Sequence, residues 1–244
     1  MARSGSRRKR TGKGAARTWR LPTLRQVMVW LRRVILWAAA FVFVYLVVFA
    51  FVPVPATPYM LAESWRRGGI ERDWVALSEM APDVARSVVA AEDANFCLHW
   101  GFDMAAIREA IVEGSGRGAS TISQQTAKNV FLWQGRSWPR KALESVLTLA
   151  VETMWTKKRI IEVYLNVAEM GPGVFGIEAA AQHWFGVGAD ELTATQAARI
   201  AASLPDPKDR NPARPSAFLR GRANEIRSGA ETILADGRSG CFER

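Results

Sequence analysis

Cysteine and histidine are nearly missing from this chain: its 244 residues include two of each, Cys97 and Cys241, His99 and His183. No CxxC pair and no Cys/His cluster at ligand spacing occurs, which argues against a structural zinc site. The two cysteines are far apart in sequence, and both a disulfide and two isolated buried thiols stay open. Acidic residues are absent from the first 33 positions, which hold eleven of the 33 Lys and Arg. Everything after that tail carries 22 basic against 23 acidic residues, so the formal charge of +10 belongs to the tail. Bulk basicity therefore gives no reason to expect a nucleic-acid partner.

Charge of either sign is missing from Val34 to Val52. At about 1.5 Å rise per residue this run spans roughly 28 Å as a helix, close to the hydrocarbon thickness of a bilayer. A cleaved signal peptide is the rival reading, since Val54-Pro55-Ala56 loosely resembles a cleavage site. The apolar run exceeds a signal-peptide core and the basic leader is long, so an uncleaved anchor is favoured. The positive-inside rule then keeps residues 1–33 in the cytoplasm, spans with 34–52 and exports 53–244.

Convincing period-two alternation is also lacking, and the exported part is predicted to be one all-α domain. Helices are expected from Pro82, over Met104 to Val112, after Ser137, after Thr156, and over Phe175 to His183, Thr193 to Ser203 and Ser216 to Ala235.

What the sequence does have is an acidic pair, Glu92-Asp93, and a polar run from Gly118 to Asn129. That run contains Ser120, Thr121, Gln124, Gln125, Lys128 and Asn129. Thr121-x-x-Gln124 has the spacing of a capping box, and exposed N–H groups at a helix start bind anions. Gln124 and Lys128 are expected on one helical face. The flexible stretch Gly114 to Gly118 leads into it. A carboxylate near such a cradle suggests group transfer from a phosphorylated donor.

The block Glu92 to Gly101 matches E-D-x-x-F-x-x-H-x-G, and Gly118 to Asn129 matches G-x-S-T-I-x-Q-Q-x-x-K-N. Arg140 to Glu144 matches R-K-x-x-E, and Lys157 to Asn166 matches K-x-x-I-x-E-x-Y-L-N. With four motifs in order, the chain resembles the bacterial peptidoglycan glycosyltransferases, in their monofunctional form without a penicillin-binding region. The resemblance extends from about the apolar run to Pro212.

It implies a lysozyme-like fold that polymerises lipid II on the outer face of the bacterial inner membrane, forming β-1,4 bonds with inversion and releasing polyprenyl diphosphate. Such a reaction needs one carboxylate base, assigned to Glu92, with Glu144 in a second essential role. Lys128, Arg136, Arg140 and Lys141 would hold the pyrophosphate. Asp93 would orient its neighbours, Phe96 and His99 would shape the pocket, and Arg159 would touch substrate. No cofactor is required by the sequence, and assistance by Mg²⁺ or Mn²⁺ is left open. Expected partners are lipid II, the nascent glycan, the membrane, and other cell-wall synthases or divisome proteins. A glycan-cleaving enzyme and a non-catalytic membrane scaffold are the alternatives.

Overall fold

A computed structural model describes residues 23–113, 120–135 and 137–243. The basic residues before Thr23, the stretch 114–118 and Arg136 lie outside the described residues. The chain divides into two units, Met1–Val44 and Tyr45–Arg244. The first unit holds most of α1 (Leu24–Phe49), the one helix among the described residues long and apolar enough to cross a membrane. It starts ten residues before the uncharged run, taking in Arg25, Arg32 and Arg33. Its side chains are nearly all exposed, as a helix with lipid for solvent requires.

The second unit is helical: α2 (Pro58–Arg67), α3 (Pro82–Glu92), α4 (Met104–Glu113), α5 (Ile122–Phe131), α6 (Trp138–Met154), α7 (Lys157–Val167), α8 (Ile177–Phe185), α9 (Ala194–Ser203), α10 (Ala217–Ala235) and α11 (Gly240–Glu243). Most begin on a signal visible in the sequence. Thr57, Thr121, Ser137, Thr156, Thr193 and Ser216 each accept a hydrogen bond from a first-turn amide, satisfying a donor that has no partner within the helix. The Thr121/Gln124 capping box forms as the spacing predicts.

Two groups of helices make the core. α3, α9 and α10 pack on one another, and α5 lies against both α6 and α7. Val88, Ile122, Ile160, Ile161, Leu165 and Ile200 are essentially inaccessible, and each such side chain contributes roughly 1.5–3 kcal/mol through burial. The chain end of α1 belongs to this body: Trp155 Nε1 donates to the Leu46 carbonyl at 2.8 Å, and Arg159 Nε donates to that of Phe49 at 3.0 Å.

The helical class holds, with one small addition. β1 (Glu71–Arg72), β2 (Glu169–Gly171) and β3 (Val174–Phe175) form a sheet in the order β1-β3-β2, with β1 parallel and β2 antiparallel to β3. Strands of two or three residues are too short to show alternation, so the sequence pattern carries no trace of them. Gly176 then turns the chain into α8 at φ 85°, where a Cβ would come within 3.0 Å of the Asn166 carbonyl oxygen. Asn166 itself is buried and brackets Val75, accepting from its amide at 3.0 Å and donating to its carbonyl at 2.9 Å.

The cysteines form a disulfide, with Cα atoms 5.6 Å apart and 144 positions apart in sequence. In the chain-entropy model a loop of that order removes roughly 4–5 kcal/mol of freedom from the unfolded state.

Glu63, on α2, is buried beneath three cations. Arg66 and Arg67 bind one oxygen, and Lys208 binds the other at 3.1 Å. Burial alone would raise its pKa, but these hydrogen bonds prevail and hold it at about 2 instead of 4.5. Because the folded value is depressed, the cluster's stabilisation is whole above pH 4.5 and is lost as pH falls toward 2. Thermal melting of Glu63→Gln is expected to show a flatter loss of Tm between these pH values than the parent protein. Parallel curves would remove Glu63 from the acid response.

Candidate active site

Glu92 is the last residue of α3, and Asp93, in extended backbone at φ −162°, caps that helix. Two consecutive acids thereby point at two places on α5. Asp93 Oδ2 accepts from the Ile122 amide at 3.0 Å, while Glu92 Oε2 accepts from Gln125 Nε2 at 2.8 Å. Gln125 is held from its other end, its Oε1 accepting from the Tyr164 hydroxyl at 3.2 Å. Tyr164 is buried, which pushes its pKa well up, and the charge of Glu92 adds to this, so the phenol stays a donor.

Withdrawal from water raises the Glu92 pKa. The Gln125 hydrogen bond and the charges of Lys128 and Arg222 pull against that, while Asp93 adds to the rise. Burial likewise lowers the Lys128 pKa, an effect opposed by Glu144 and Glu92 and reinforced by Arg140 and Lys141. Lys128 thus sits in the field of both acids. Glu144 is buried on α6, with Arg140 at 2.7 Å on one oxygen and Lys141 on the other; Lys141 also donates to Ser120 Oγ at 3.1 Å. The i,i+4 pair legible in the sequence therefore exists, and Lys141 extends it across to the start of α5.

Cavities flank this network. One of about 210 Å³ is lined by Glu92, Asp93, Asn95, Asp103, Ser120 and Thr121. Another of about 280 Å³ is lined by Gln125, Lys128, Asn129, Gln134, Tyr164, Asp206 and Lys208, among others. A third, of about 300 Å³, lies at Ser137, Trp138, Arg140 and Lys141. Glu92 faces the first and its hydrogen-bond partner faces the second.

Four residues expected at the substrate stand elsewhere. Gln124 shares a face of α5 with Lys128 but is buried, and its side-chain oxygen accepts from the Thr121 amide at 3.0 Å, so it serves the cap and not the substrate. Helical spacing gives a common face but does not say which way that face turns. Phe96 is fully buried, with the Lys157 ammonium 4.5 Å from its ring centre, and lines none of the three cavities. His99 Nε2 meets Asp93 Oδ1 at 2.8 Å and steadies that carboxylate from behind. Arg159 binds the carbonyls of Phe49 and Val52 and pairs with Glu162, which places it at the end of α1. Thr121 lines the first cavity, but its hydroxyl donates to the Gly101 carbonyl at 2.7 Å.

Other residues reach the site unannounced by any motif. Arg222 approaches the Ala91 carbonyl at 3.4 Å, and Lys208 and Asp206 wall the second cavity. They come from the C-terminal third of the chain and are brought near by tertiary contacts, the packing of α9 and α10 on α3 and the pairing of Lys208 with Glu63.

A transglycosylase family model matches residues 60–231. The chain is 57% identical over 235 residues to a biosynthetic peptidoglycan transglycosylase of Jannaschia sp. (strain CCS1), covering 96% of this chain and 98% of that protein. It is 48% identical over 214 residues to one from Stutzerimonas stutzeri, covering 84% and 88%. To one from Escherichia coli O17:K52:H18 it is 50% identical over 186 residues, covering 71% and 77%. With the helical fold and the Glu92, Lys128 and Glu144 arrangement in view, these matches establish that the chain belongs to the transglycosylase family.

Proposed function

We propose that this enzyme polymerises peptidoglycan glycan strands from lipid II, with Glu92 as the base. The 4-hydroxyl of one disaccharide attacks the anomeric carbon of a pyrophosphate-linked chain. A C–O bond forms on one face, the bond to pyrophosphate breaks on the other, and the configuration inverts. The hydroxyl proton passes to Glu92, whose raised pKa suits it to receive one. Lys128, Arg140 and Lys141 meet the charge that develops on the leaving pyrophosphate. Arg136, which lies outside the described residues, is proposed for the same role as a cation close to them in sequence. The observation that carries this reading is Lys128 sitting in the electrostatic field of both Glu92, a carboxylate of raised pKa, and the Arg140–Glu144–Lys141 group.

The donor set suits an anion better than a divalent cation. Both Glu144 oxygens already accept from cationic side chains, and no three His, Cys, Asp or Glu converge among the described residues.

The anchor fits a lipid-tailed substrate. With α1 in the bilayer and the basic tail in the cytoplasm, the domain lies outside the cell membrane. Enzyme and lipid II then share a thin layer, which raises their effective concentration. Exposed Ile111 and Val112 on α4, and Trp138, Val146 and Leu149 on α6, offer apolar surface to lipid.

Full-length protein incubated with lipid II should give glycan polymer and polyprenyl diphosphate, at a rate that rises with pH through an inflection above 4.5. Cleavage of finished peptidoglycan without polymer would select the lytic reading. Neither activity would leave a scaffold.

A further inference from the structure

The end of α3, which carries Glu92, and the loop that follows it are held from behind by one stretch of chain. Arg222 on α10 reaches the Ala91 carbonyl at 3.4 Å, and Arg238 Nη1 donates to that of Ala94 at 3.1 Å. Cys241 is bonded to Cys97, the rings of Phe242 and Phe96 lie 6.4 Å apart, and Glu243 pairs with Arg86 at 3.2 Å. Five contacts from residues 222–243 thus fall on residues 86–97. Four of them, from Arg238 onward, lie beyond the stretch matched by the family model, which ends at residue 231.

What the loop loses without this clasp can be traced. Its backbone leaves α3 at Glu92, and its other ties include Glu92 to Gln125, Asp93 to Ile122 and His99, Asn95 to Asp103 at 2.9 Å and Gly101 to the Thr121 hydroxyl at 2.7 Å. The disulfide is the only covalent tie, four residues past Asp93. Without it the short helix α11, of four residues, has only noncovalent contacts to keep Phe242 beside Phe96. The geometry points to residues 222–243 as a positioning clasp for the base-bearing loop, locked by Cys97–Cys241, so that turnover depends on the oxidation state of that pair. The balanced step is thiol–disulfide exchange. A thiolate of an external dithiol attacks one sulfur, its second thiol resolves the mixed disulfide, and two cysteine thiols and the oxidised dithiol result.

The inference rests on the polymerase reading, so its test carries a measurement that does not need activity. Full-length enzyme in detergent is assayed oxidised, reduced with dithiothreitol, and reoxidised, with thiol alkylation reporting the state of the pair. Reduction is expected to lower kcat for lipid II polymerisation about tenfold or more with KM within about twofold. Hydrogen exchange should quicken in residues 93–101 while α5 and α7 stay protected, and reoxidation should restore both. Cys97→Ala/Cys241→Ala should match the reduced enzyme and ignore the reductant. Arg222→Gln should raise the pH inflection of kcat, and Arg222→Lys should restore it. Unchanged kcat with the pair shown open overturns the clasp. So does exchange that quickens throughout the domain, which would make the bond merely stabilising. If the oxidised enzyme makes no polymer, the polymerase reading fails, and local exchange at 93–101 still decides whether the clasp exists.

Discussion

Glu92→Gln is expected to abolish polymerisation, with kcat down about 10²–10⁴-fold, while the protein melts at or above the parent temperature. The size of the loss is that of a positioned general base removed from its proton. The stability half follows from the raised pKa. A carboxylate whose folded pKa exceeds its unfolded value destabilises the native state once ionised, and the penalty grows as pH rises from 4.5 through the folded value. Gln keeps the shape and removes the charge, so the Tm advantage of the variant should close as pH drops below 4.5. Its amide can still face Gln125 through one oxygen. Assays with lipid II, paired with melts at several pH values, check both halves. Retained turnover would remove Glu92 from the chemistry, and a large fall in Tm at neutral pH would make any lost activity a matter of folding.

Lys128→Met should lower kcat/KM by about 10²–10³-fold, the scale of losing one charge-stabilising donor in a site shielded from water. The methionine preserves the apolar stem, so packing around α5 is little disturbed. A second effect separates a phosphate contact from general damage. Lys128 holds the Glu92 pKa down, so without it the base ionises at higher pH and the inflection of the rate profile should move upward. Lys128→Arg, which keeps the charge, should hold the inflection near its parent position even where fit to the pyrophosphate suffers. A uniform loss with no movement of the inflection would assign Lys128 to structure.

Much of this site is written locally. Thr121 and Gln124 announce their capping box, Ser137 and Thr156 announce the starts of α6 and α7, and Arg140 announces its partner four residues on. Each is a relation within one helical turn, where spacing and geometry are the same thing. The orientation of α5 is not of that kind. Periodicity groups Gln124 with Lys128, but the turn toward Glu92 is set by tertiary contacts, and it buries Gln124 while aiming Gln125 at the carboxylate. Arg159 looked like a substrate contact because it sits in a motif with Glu162, yet its donors reach back more than a hundred residues to Phe49 and Val52. Arg222 and Lys208 were hidden, and the choice between a disulfide and two thiols left open, for the same reason. Their partners are far off in sequence, and nothing local encodes such pairs.

The two acids of α3 grip α5 at both ends of a single turn, Asp93 at Ile122 and Glu92 at Gln125. Downstream, Asn95 is tied to Asp103, and Gly101 receives the Thr121 hydroxyl. The alignment of base, glutamine and lysine is therefore settled by contacts on both sides of α4. One residue added between Glu92 and Asp93 would break the register that the two grips share.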